Sequence, residues 1–282
     1  MCIRDRDKWT LDIYKKKLLN LSKVINEIGA DLTGESPTII GLCEVENKKV
    51  LVDLINTKLL KSSKYEIIHY DPPDRRGTDN ALSSDQNRFS IISSRAIENK
   101  LKNGGPTRDI LYVLGNYNNA RLHIFVNHWP SNYGGKEKAI PKRTETAELI
   151  IKEIENILSV EKSAEIILIG DFNEDPDDKN IMLLEQIGLT SLMKPMLGQP
   201  KVGTYVYRGQ DSFLDQIIVN KQLQDSESLS IVQGSTYILD LPKYRQQEGN
   251  YKHYPYRFWA GNRLLGGYSD HLAISCVIFI DN

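Results

Sequence analysis

The sequence lacks most of the features that mark disulfide-rich, zinc-binding or membrane-spanning proteins. Its 282 residues include three cysteines, which are widely spaced and form no Cys-x-x-Cys pair. An odd number of cysteines without such pairing argues against a disulfide framework and against a structural zinc site. No apolar run approaches the roughly 20 residues that a membrane-spanning helix needs. Internal repeats and low-complexity tracts are also absent.

An excess of charge of one sign is lacking as well. The chain has 36 Lys and Arg against 37 Asp and Glu, for a net charge of −1. This balance argues against a surface coated with basic residues for nonspecific nucleic-acid binding, and it remains compatible with a local basic groove. Hydrophobic residues make up 40% of the chain and charged residues 26%, as is ordinary for a globular protein.

The first residues differ in pattern from the rest of the chain. The run Met1-Cys2-Ile3-Arg4-Asp5-Arg6 has no strand period, no helical stripe and no apolar signal-peptide core. We predict that residues 1–8 are a non-native or truncated N-terminus and that residues 9–282 form a single domain. Both a cytoplasmic and an exported protein are consistent with this sequence.

Helix-like and strand-like patterns alternate along the chain. Residues 11–28 place apolar side chains at helical spacing, and helices are also predicted at residues 49–60, 142–158 and 179–187. Strands are predicted at residues 37–45, 65–70, 88–93, 110–114, 122–127, 165–169, 204–207, 214–219 and 272–280. A further strand around Ala81 is weakly supported, because the polar pair Ser83-Ser84 follows at once. The alternation indicates one α/β domain.

Polar residues follow several of these strands at their ends. The apolar strand at 165–169 leads directly into Gly170-Asp171-Phe172-Asn173. A buried strand that delivers polar side chains to its carboxyl end is a typical active-site arrangement in α/β proteins. Asp supplies charge for a metal or a water, and Asn supplies a neutral donor and acceptor for a phosphate oxygen.

Taken in chain order, five such features resemble the endonuclease/exonuclease/phosphatase superfamily, which has the DNase I-like fold. They are Glu44 and His128 at strand ends, GDFN at 170–173, LDQI at 214–217 and SDH at 269–271. The resemblance runs from about the first helix to the C-terminus. It implies a four-layer α/β/β/α sandwich of two mixed β-sheets and the cleavage of a phosphoester with a divalent metal, Mg²⁺ or alternatively Mn²⁺ or Ca²⁺.

The resemblance also implies a role for each motif residue. Glu44 is a candidate metal ligand, since Mg²⁺ prefers carboxylate oxygens and keeps several waters, and Asp270 is a further metal contact. Asp171 would orient or deprotonate the attacking water. Asn173 would bind a phosphate oxygen or the same water, and His128 would contact the scissile phosphate.

His271 is the candidate general base, or alternatively an electrostatic stabiliser of the transition state. An imidazole in either role needs a carboxylate that fixes its tautomer and raises its basicity. Asp215 matches the superfamily's residue for that partner. We therefore count both residues among the predicted catalytic group.

Basic and aromatic residues are the candidates for substrate binding. Residues 251–263 interleave the two types, which suits stacking on bases together with pairing to phosphates. Packing of these aromatics on the rim of the sandwich is an equally compatible reading. Arg143 follows the His128 loop and can instead hold the active-site loops by pairing with a carboxylate. The predicted substrate-binding residues are Arg76, Arg143, Tyr256, Arg257 and Trp259.

We therefore predict a metal-dependent phosphodiesterase, an endonuclease-like hydrolase that acts on nucleic acid or another phosphoester substrate. One alternative is a phosphomonoesterase or phospholipid phosphodiesterase of the same fold, and another is a catalytically inactive binding module. Members of the superfamily begin with a strand that carries an Asn near the metal site, and no such strand precedes Trp9. An exposed sheet edge is expected as a result.

Overall fold

A computed structural model describes residues 9–71, 77–102, 105–226 and 228–279 of the protein. The helices are α1 Leu11–Glu27, α2 Ala30–Thr33, α3 Lys48–Ile55, α4 Lys136–Val160, α5 Lys179–Glu185 and α6 Lys221–Gln224. The strands of the two main sheets are β1 Ile39–Val45, β2 Tyr65–His69, β3 Asp79–Asp85, β4 Ser90–Ile97, β7 Ile110–Tyr117, β8 Ala120–His128, β9 Glu165–Asp171, β10 Leu189–Ser191 and β13 Asp215–Asn220. Short two-stranded pairs are formed by β5 Lys100–Leu101 with β6 Gly105–Pro106, β11 Tyr205–Tyr207 with β12 Gln210–Ser212, β14 Ser230–Ile231 with β19 Ile278–Phe279, β15 Tyr237–Ile238 with β18 Ile274–Ser275, and β16 Trp259–Ala260 with β17 Arg263–Leu264.

The larger sheet has six strands in the order β10-β13-β9-β8-β7-β4. Its one parallel pair is β8 with β9, and the other neighbours run antiparallel, so the sheet is mixed. Parallel neighbours need a long crossover, which here contains the 25-residue helix α4. The carboxyl ends of β8 and β9 consequently lie at the same edge of the sheet.

The smaller sheet contains three antiparallel strands in the order β1-β3-β2. All seven residues of its central strand β3 are buried, including Ser83 and Ser84. The weak sequence support for this strand was therefore misleading, because pairing on both sides stabilises a strand that its own side chains do not favour. Within the described residues β1 pairs on one side only, in agreement with the expected free edge.

The two sheets face each other, and helices cover their outer faces. Ile124 and Val126 of β8 pack with Leu82 of β3 between the sheets. Phe125, which points the opposite way along the same strand, packs against Ile150 of α4. On the other side of the molecule α1 and α3 cover the smaller sheet. These layers confirm the predicted four-layer α/β/β/α sandwich.

Several predicted elements differ from their observed bounds. Helix α3 ends at Ile55 rather than at residue 60, and β4 continues to Ile97 rather than ending at residue 93. The strand predicted at 272–280 is interrupted, and β18 and β19 are two-residue strands with different partners. Helix α4 begins at Lys136 rather than after Pro141, which lies inside it. None of the helices in the described ranges combines the length and apolar composition needed to cross a bilayer.

Gly170 allows the close approach of β8 and β9 at the end of the sheet. Its φ is +127°, and a Cβ at this position would lie 2.1 Å from the carbonyl oxygen of Asn127, its partner on β8. A side chain would therefore force the two strands apart just before Asp171. Only glycine fits here, for both conformational and steric reasons.

Replacing Gly170 should be more destabilising than replacing a glycine that needs only a positive φ. We expect Gly170→Ala to lower the free energy of unfolding by more than Gly188→Ala, since Gly188 has a φ of +84° and no atom within 4 Å of an added Cβ. The Gly188 variant should lose about 1–2 kcal/mol from backbone strain alone. Urea denaturation of both variants measures the difference. Equal decreases in the free energy of unfolding would show that β8 and β9 can move apart at no energetic cost.

Candidate active site

Asp171 lies at the end of β9 between two other predicted site residues. The strand register pairs it with His128 on β8 and with Asp215 on β13. Its Oδ2 atom lies 3.6 Å from Nε2 of His128. Three side chains from distant parts of the chain thus form a row across one edge of the larger sheet.

The turn after β9 fixes the position of the Asp171 carboxylate. Asn173 has a φ of +53°, a left-handed conformation that Asn tolerates better than most residues. Its backbone N–H donates to Oδ1 of Asp171 at 2.8 Å, and its side-chain amide donates to the carbonyl of Trp129 at 3.2 Å. Asn173 therefore joins the loops after β8 and β9.

Asp215 and His271 form a direct hydrogen-bonded pair. Nδ1 of His271 lies 2.7 Å from Oδ2 of Asp215, which leaves Nε2 as the ring nitrogen available to a substrate. Thr204 supports both partners, because its hydroxyl accepts from the Asp215 N–H and its carbonyl accepts from the N–H of Leu272. The structure thus brings together Asp171, His128, Asp215 and His271, which we call the site cluster.

The charges in the site cluster shift its pKa values away from their ordinary range. Burial would lower the pKa of His271, but Asp215, Asp171 and Asp270 outweigh burial and raise that pKa to about 10. Burial raises the pKa of Asp171, against the opposing charge of His271, and with help from Asp215 and Glu44 the value reaches about 7. At neutral pH His271 is therefore a cation, and Asp171 lies near its midpoint of protonation.

Glu44 is presented to the site by a distortion of β1. The register of β1 shifts between Leu42 and Val45, and Glu44 has a φ of +58°. Such a β-bulge re-aims a side chain, and backbone strain of this kind is concentrated at functional sites. The sequence indicated Glu44 as a strand-end residue, and the bulge explains how its exposed carboxylate leaves the plane of the sheet.

Asp270 precedes His271 and is surrounded by positive charge. Burial would raise its pKa, but His271, Arg257 and Lys17 together lower it. Asp270 and Glu44 offer the hard oxygen donors that Mg²⁺ prefers. No three His, Cys, Asp or Glu side chains of the described ranges converge as a metal-binding group. The donor set therefore fits a cation that keeps most of its waters better than one enclosed by protein ligands.

Sequence analysis did not identify Lys17, whose ammonium lies near both candidate metal ligands. Burial lowers its pKa to about 8, and the charges of Asp270 and Glu44 oppose this decrease. The ammonium donates to the carbonyl of Tyr268. The sequence gives no distinct signal for it, because Lys17 ends the run Lys15-Lys16-Lys17, and only tertiary packing distinguishes it from its exposed neighbours.

Tyr205 was also missed, and its ring packs against His271. The two ring centroids are 4.7 Å apart. Arg257 interacts with the Tyr205 side chain and also acts on Asp270. A lone Tyr at the start of a short strand gives no sequence signal for this contact, which arises only from tertiary packing.

Arg143 occupies a buried position behind the site. Its Nε donates to Oε1 of Glu174 at 2.7 Å, and both side chains are almost completely buried. Its Nη1 donates to the carbonyl of Pro130 and to the side chain of Asn132. The pair therefore ties α4 to the loops after β8 and β9. We correct its assignment as a substrate ligand, since burial favours the loop-holding role.

The other predicted substrate-binding residues lie at different distances from the site cluster. Arg76 lies outside the described residues. Arg257 reaches the cluster, as described above. The hydroxyl of Tyr256 donates to the carbonyl of Leu265 at 2.9 Å, and the ring of Trp259 packs with Trp9. Tyr256 and Trp259 thus belong to a half-buried rim, and their role in substrate binding stays a prediction.

The β11–β12 hairpin extends outward from the site cluster. Tyr205 and Tyr207 share one face of β11, because alternate residues of a strand point the same way. Arg208 and Gly209 both have positive φ at the turn, and the Gly209 N–H donates to the Tyr254 hydroxyl at 2.6 Å. Tyr207 is 58% exposed, and the Arg208 guanidinium lies 5.3 Å from its ring centroid. We call Tyr207 and Arg208 the hairpin ledge.

Comparison with known proteins gives a match over almost the whole chain. Residues 2–281 match the family model described as Endonuclease/Exonuclease/phosphatase family. No curated protein sequence gives a significant match.

Solved structures resemble this fold at low sequence identity. TDP2 from D. rerio, complexed with a single-strand DNA product, has a TM-score of 0.61 and 14% identity, with 93% of each chain covered. The human Nocturnin catalytic domain has a TM-score of 0.62 and 18% identity, covering 96% of this chain and 88% of that one. The mannosyl-6-phosphatase of Bacteroides thetaiotaomicron has a TM-score of 0.58 and 15% identity, covering 95% and 92%.

The Asp215–His271 pair predicts a pH-dependent stability. Because the folded-state pKa of His271 is raised to about 10 from 6.5, its contribution is complete below pH 6.5 and is lost as the pH rises through about 10. Asp215→Asn removes the largest cause of that increase. The free energy of unfolding of the wild type should therefore exceed that of the variant by more at pH about 6 than at about 10.5.

Urea denaturation at both pH values measures this difference, and an NMR titration of the His271 ring reports its pKa directly. The pKa of His271 in Asp215→Asn should lie well below the pKa of His271 in the wild type. A stability difference that does not change with pH, together with an unshifted titration, would contradict the assigned electrostatics.

Proposed function

Because this chain belongs to the endonuclease/exonuclease/phosphatase family, we propose that it is a metal-dependent phosphodiesterase that hydrolyses nucleic acid. Membership of this family supports the hydrolysis of a phosphoester bond. The observation that carries the finer proposal is the site cluster, in which Asp171 lies between His128 and Asp215 and the latter holds His271. This cluster combines a candidate base with two imidazoles at one sheet edge.

The pKa values favour a division of roles between Asp171 and His271. A general base works best when its pKa lies near the operating pH, and the pKa of Asp171 is raised to about 7. Asp171 therefore accepts the proton of the attacking water. His271, with a pKa raised to about 10, is a cation that stabilises negative charge on the phosphoryl oxygens. Of the two roles considered for His271, the electrostatic one is favoured.

The remaining residues position the phosphoester. His128 lies beside Asp171 and faces the same reacting group, and Asn173 offers an amide to a phosphate oxygen. Glu44 and Asp270 are the residues that would hold Mg²⁺ or a similar ion. A bound divalent cation supplies charge that neutralises the phosphoryl and leaving oxygens.

The hairpin ledge favours nucleic acid among the phosphoester substrates. An exposed aromatic ring beside a guanidinium suits a base that stacks and a backbone that carries negative charge. The ledge continues the face on which Tyr205 contacts His271, so a strand bound at the site cluster would pass over it. One structural relative, TDP2 from D. rerio, was solved with single-strand DNA product.

Hydrolysis assays on three substrates test the proposal. Plasmid DNA, bis(p-nitrophenyl) phosphate as a small diester and p-nitrophenyl phosphate as a monoester should be compared with Mg²⁺ and with chelator. We expect His271→Ala to lower diester turnover by at least about 100-fold, since it removes the imidazolium. Glu44→Gln should weaken Mg²⁺ binding, measured by calorimetry, by at least about tenfold.

Each outcome assigns the activity to a class. Metal-dependent cleavage of plasmid and diester that needs His271 supports the proposal. Preference for the monoester would make the protein a phosphatase with the same site. Wild-type turnover by His271→Ala would contradict the mechanism, and unchanged Mg²⁺ affinity of Glu44→Gln would remove that residue from the metal site.

Removing the Tyr207 ring from the hairpin ledge should weaken the binding of nucleic acid without affecting the small diester. Tyr207→Ala should raise the KM for a single-stranded oligonucleotide by about fivefold or more, which is the lower end of base stacking on an aromatic side chain. Turnover of the small diester should stay within about twofold, because it has no base to stack.

Tyr117→Ala is the matched control for this experiment. Tyr117 precedes a turn in which Asn118 and Asn119 both have positive φ, as Tyr207 does before Arg208 and Gly209. It adjoins the opposite end of β8 from His128. An equal increase in the KM for the oligonucleotide in both variants, or an equal effect of Tyr207→Ala on both substrates, would show that the ledge does not bind the nucleic acid.

A further inference from the structure

Lys17 is a partly buried charged residue of α1 whose ammonium lies beside the site. Its neighbours Lys15 and Lys16 are exposed, whereas Lys17 is only partly exposed. Its Nζ lies over the ring of Phe258, 5.3 Å from the ring centroid. A flexible, well-hydrated side chain is costly to bury in this way, so its position needs a compensating interaction.

Hydrogen bonds hold helix α1 against the segment that precedes Asp270. One turn after Lys17, the side-chain amide of Asn20 donates to the carbonyls of Gly266 and Gly267 at 3.1 and 2.7 Å. Lys17 itself donates to the carbonyl of Tyr268. These bonds hold α1 against the segment that leads directly into Asp270 and His271, and they fix where the ammonium lies.

The docked segment is itself tightly constrained. A Cβ at Gly267 would lie 2.1 Å from the carbonyl oxygen of Tyr256, and the Tyr268 N–H donates to the same carbonyl. The loop that carries Arg257 is therefore packed directly against the segment that receives Lys17. Two cations are held on this framework, and both act on Asp270.

The ammonium of Lys17 has unused hydrogen-bond donors. A lysine ammonium carries three N–H donors, and within the described ranges its hydrogen-bond acceptor is the Tyr268 carbonyl alone. Glu44 and Asp270 attract it electrostatically, so the ammonium lies near both carboxylates.

An anionic substrate that binds near the site carboxylates needs a cation beside it to offset their repulsion. Glu44, Asp270, Asp171 and Asp215 gather negative charge where a phosphoester would bind, and a second anion approaching them is repelled. A fixed cation with unused donors offsets that repulsion and gives a charge-assisted hydrogen bond to a phosphate oxygen.

We propose that Lys17 binds a non-bridging oxygen of the substrate phosphate beside Asp270. This inference rests on the proposed function in that the phosphate belongs to the substrate phosphodiester. Lys17 then contributes to substrate binding and to charge stabilisation. It is not a metal ligand, since an ammonium repels a divalent cation.

Inorganic phosphate is a probe of this site that needs no turnover. Calorimetry should show that Lys17→Met, which keeps the length of the stem, weakens phosphate binding by about tenfold or more through the loss of a charge-assisted bond. Lys17→Arg should retain most of the binding. Lys15→Met, the same change in charge on the exposed face of α1, should bind phosphate as the wild type does.

Mg²⁺ binding and diester kinetics separate a phosphate contact from a structural role. Lys17→Met should keep the Mg²⁺ affinity of the wild type or increase it, because a nearby positive charge is removed. The KM for bis(p-nitrophenyl) phosphate should rise by a factor similar to that for phosphate binding. Urea denaturation of all variants identifies any loss of fold. If Lys17→Met unfolds, Lys17→Gln supplies the test, since it removes the charge but keeps a donor for the Tyr268 carbonyl, and the same loss of phosphate binding is expected.

Phosphate binding by Lys17→Met at the wild-type affinity would overturn the inference. A parallel loss of phosphate and Mg²⁺ binding would overturn it as well, since that result indicates disruption of the site. If the wild type hydrolyses no diester but binds phosphate through Lys17, the proposed function fails while the phosphate site stands. If diester hydrolysis is normal in Lys17→Met, the inference alone fails.

Discussion

The parallel pairing of β8 with β9 is the constraint on which the site depends. It places His128 and Asp171 at the same sheet edge, and it requires Gly170, because the Asn127 carbonyl occupies the space of a side chain. The antiparallel pairing of β13 then brings Asp215 to the other side of Asp171. Two backbone ladders thus fix three side chains that are separated by many residues in the chain, and the crossover helix α4 covers the outer face of the same sheet.

Electrostatic balance is the second organising feature, and it links the site to its surroundings. The carboxylates raise the pKa of His271, and His271 with Arg257 and Lys17 lowers that of Asp270. Behind the site the buried Arg143–Glu174 pair joins the loops after β8 and β9 to α4. A charged pair at that depth stabilises little by itself, but breaking it would leave an uncompensated charge, so it maintains the loop geometry.

Much of the fold and of the site could be predicted because their signals are local. The amphipathic α1, the apolar β9 and the polar residues that end the strands all follow from short patterns. Strand β3 was only weakly supported by the sequence, since its two serines are buried because neighbouring strands pair with it on both sides. Lys17 and Tyr205 were missed for a related reason. Each has an ordinary local context, and only the docking of distant segments brings them beside Asp270 and His271. For Arg143 the sequence left both substrate binding and loop holding open, and its burial against Glu174 favours loop holding.

The sequence by itself determined the α/β class and the identity of the strand-end residues, because hydrophobic periodicity and short motifs are properties of neighbouring residues. The order of the layers was expected only through the resemblance of those motifs to the superfamily. Tertiary structure alone decided which of these residues meet. It set the protonation of Asp171 and His271, turned Glu44 outward on a bulge and placed a lysine from the first helix at the site. These outcomes depend on distances between segments far apart in the chain, and electrostatic interactions and burial are functions of those distances rather than of sequence spacing.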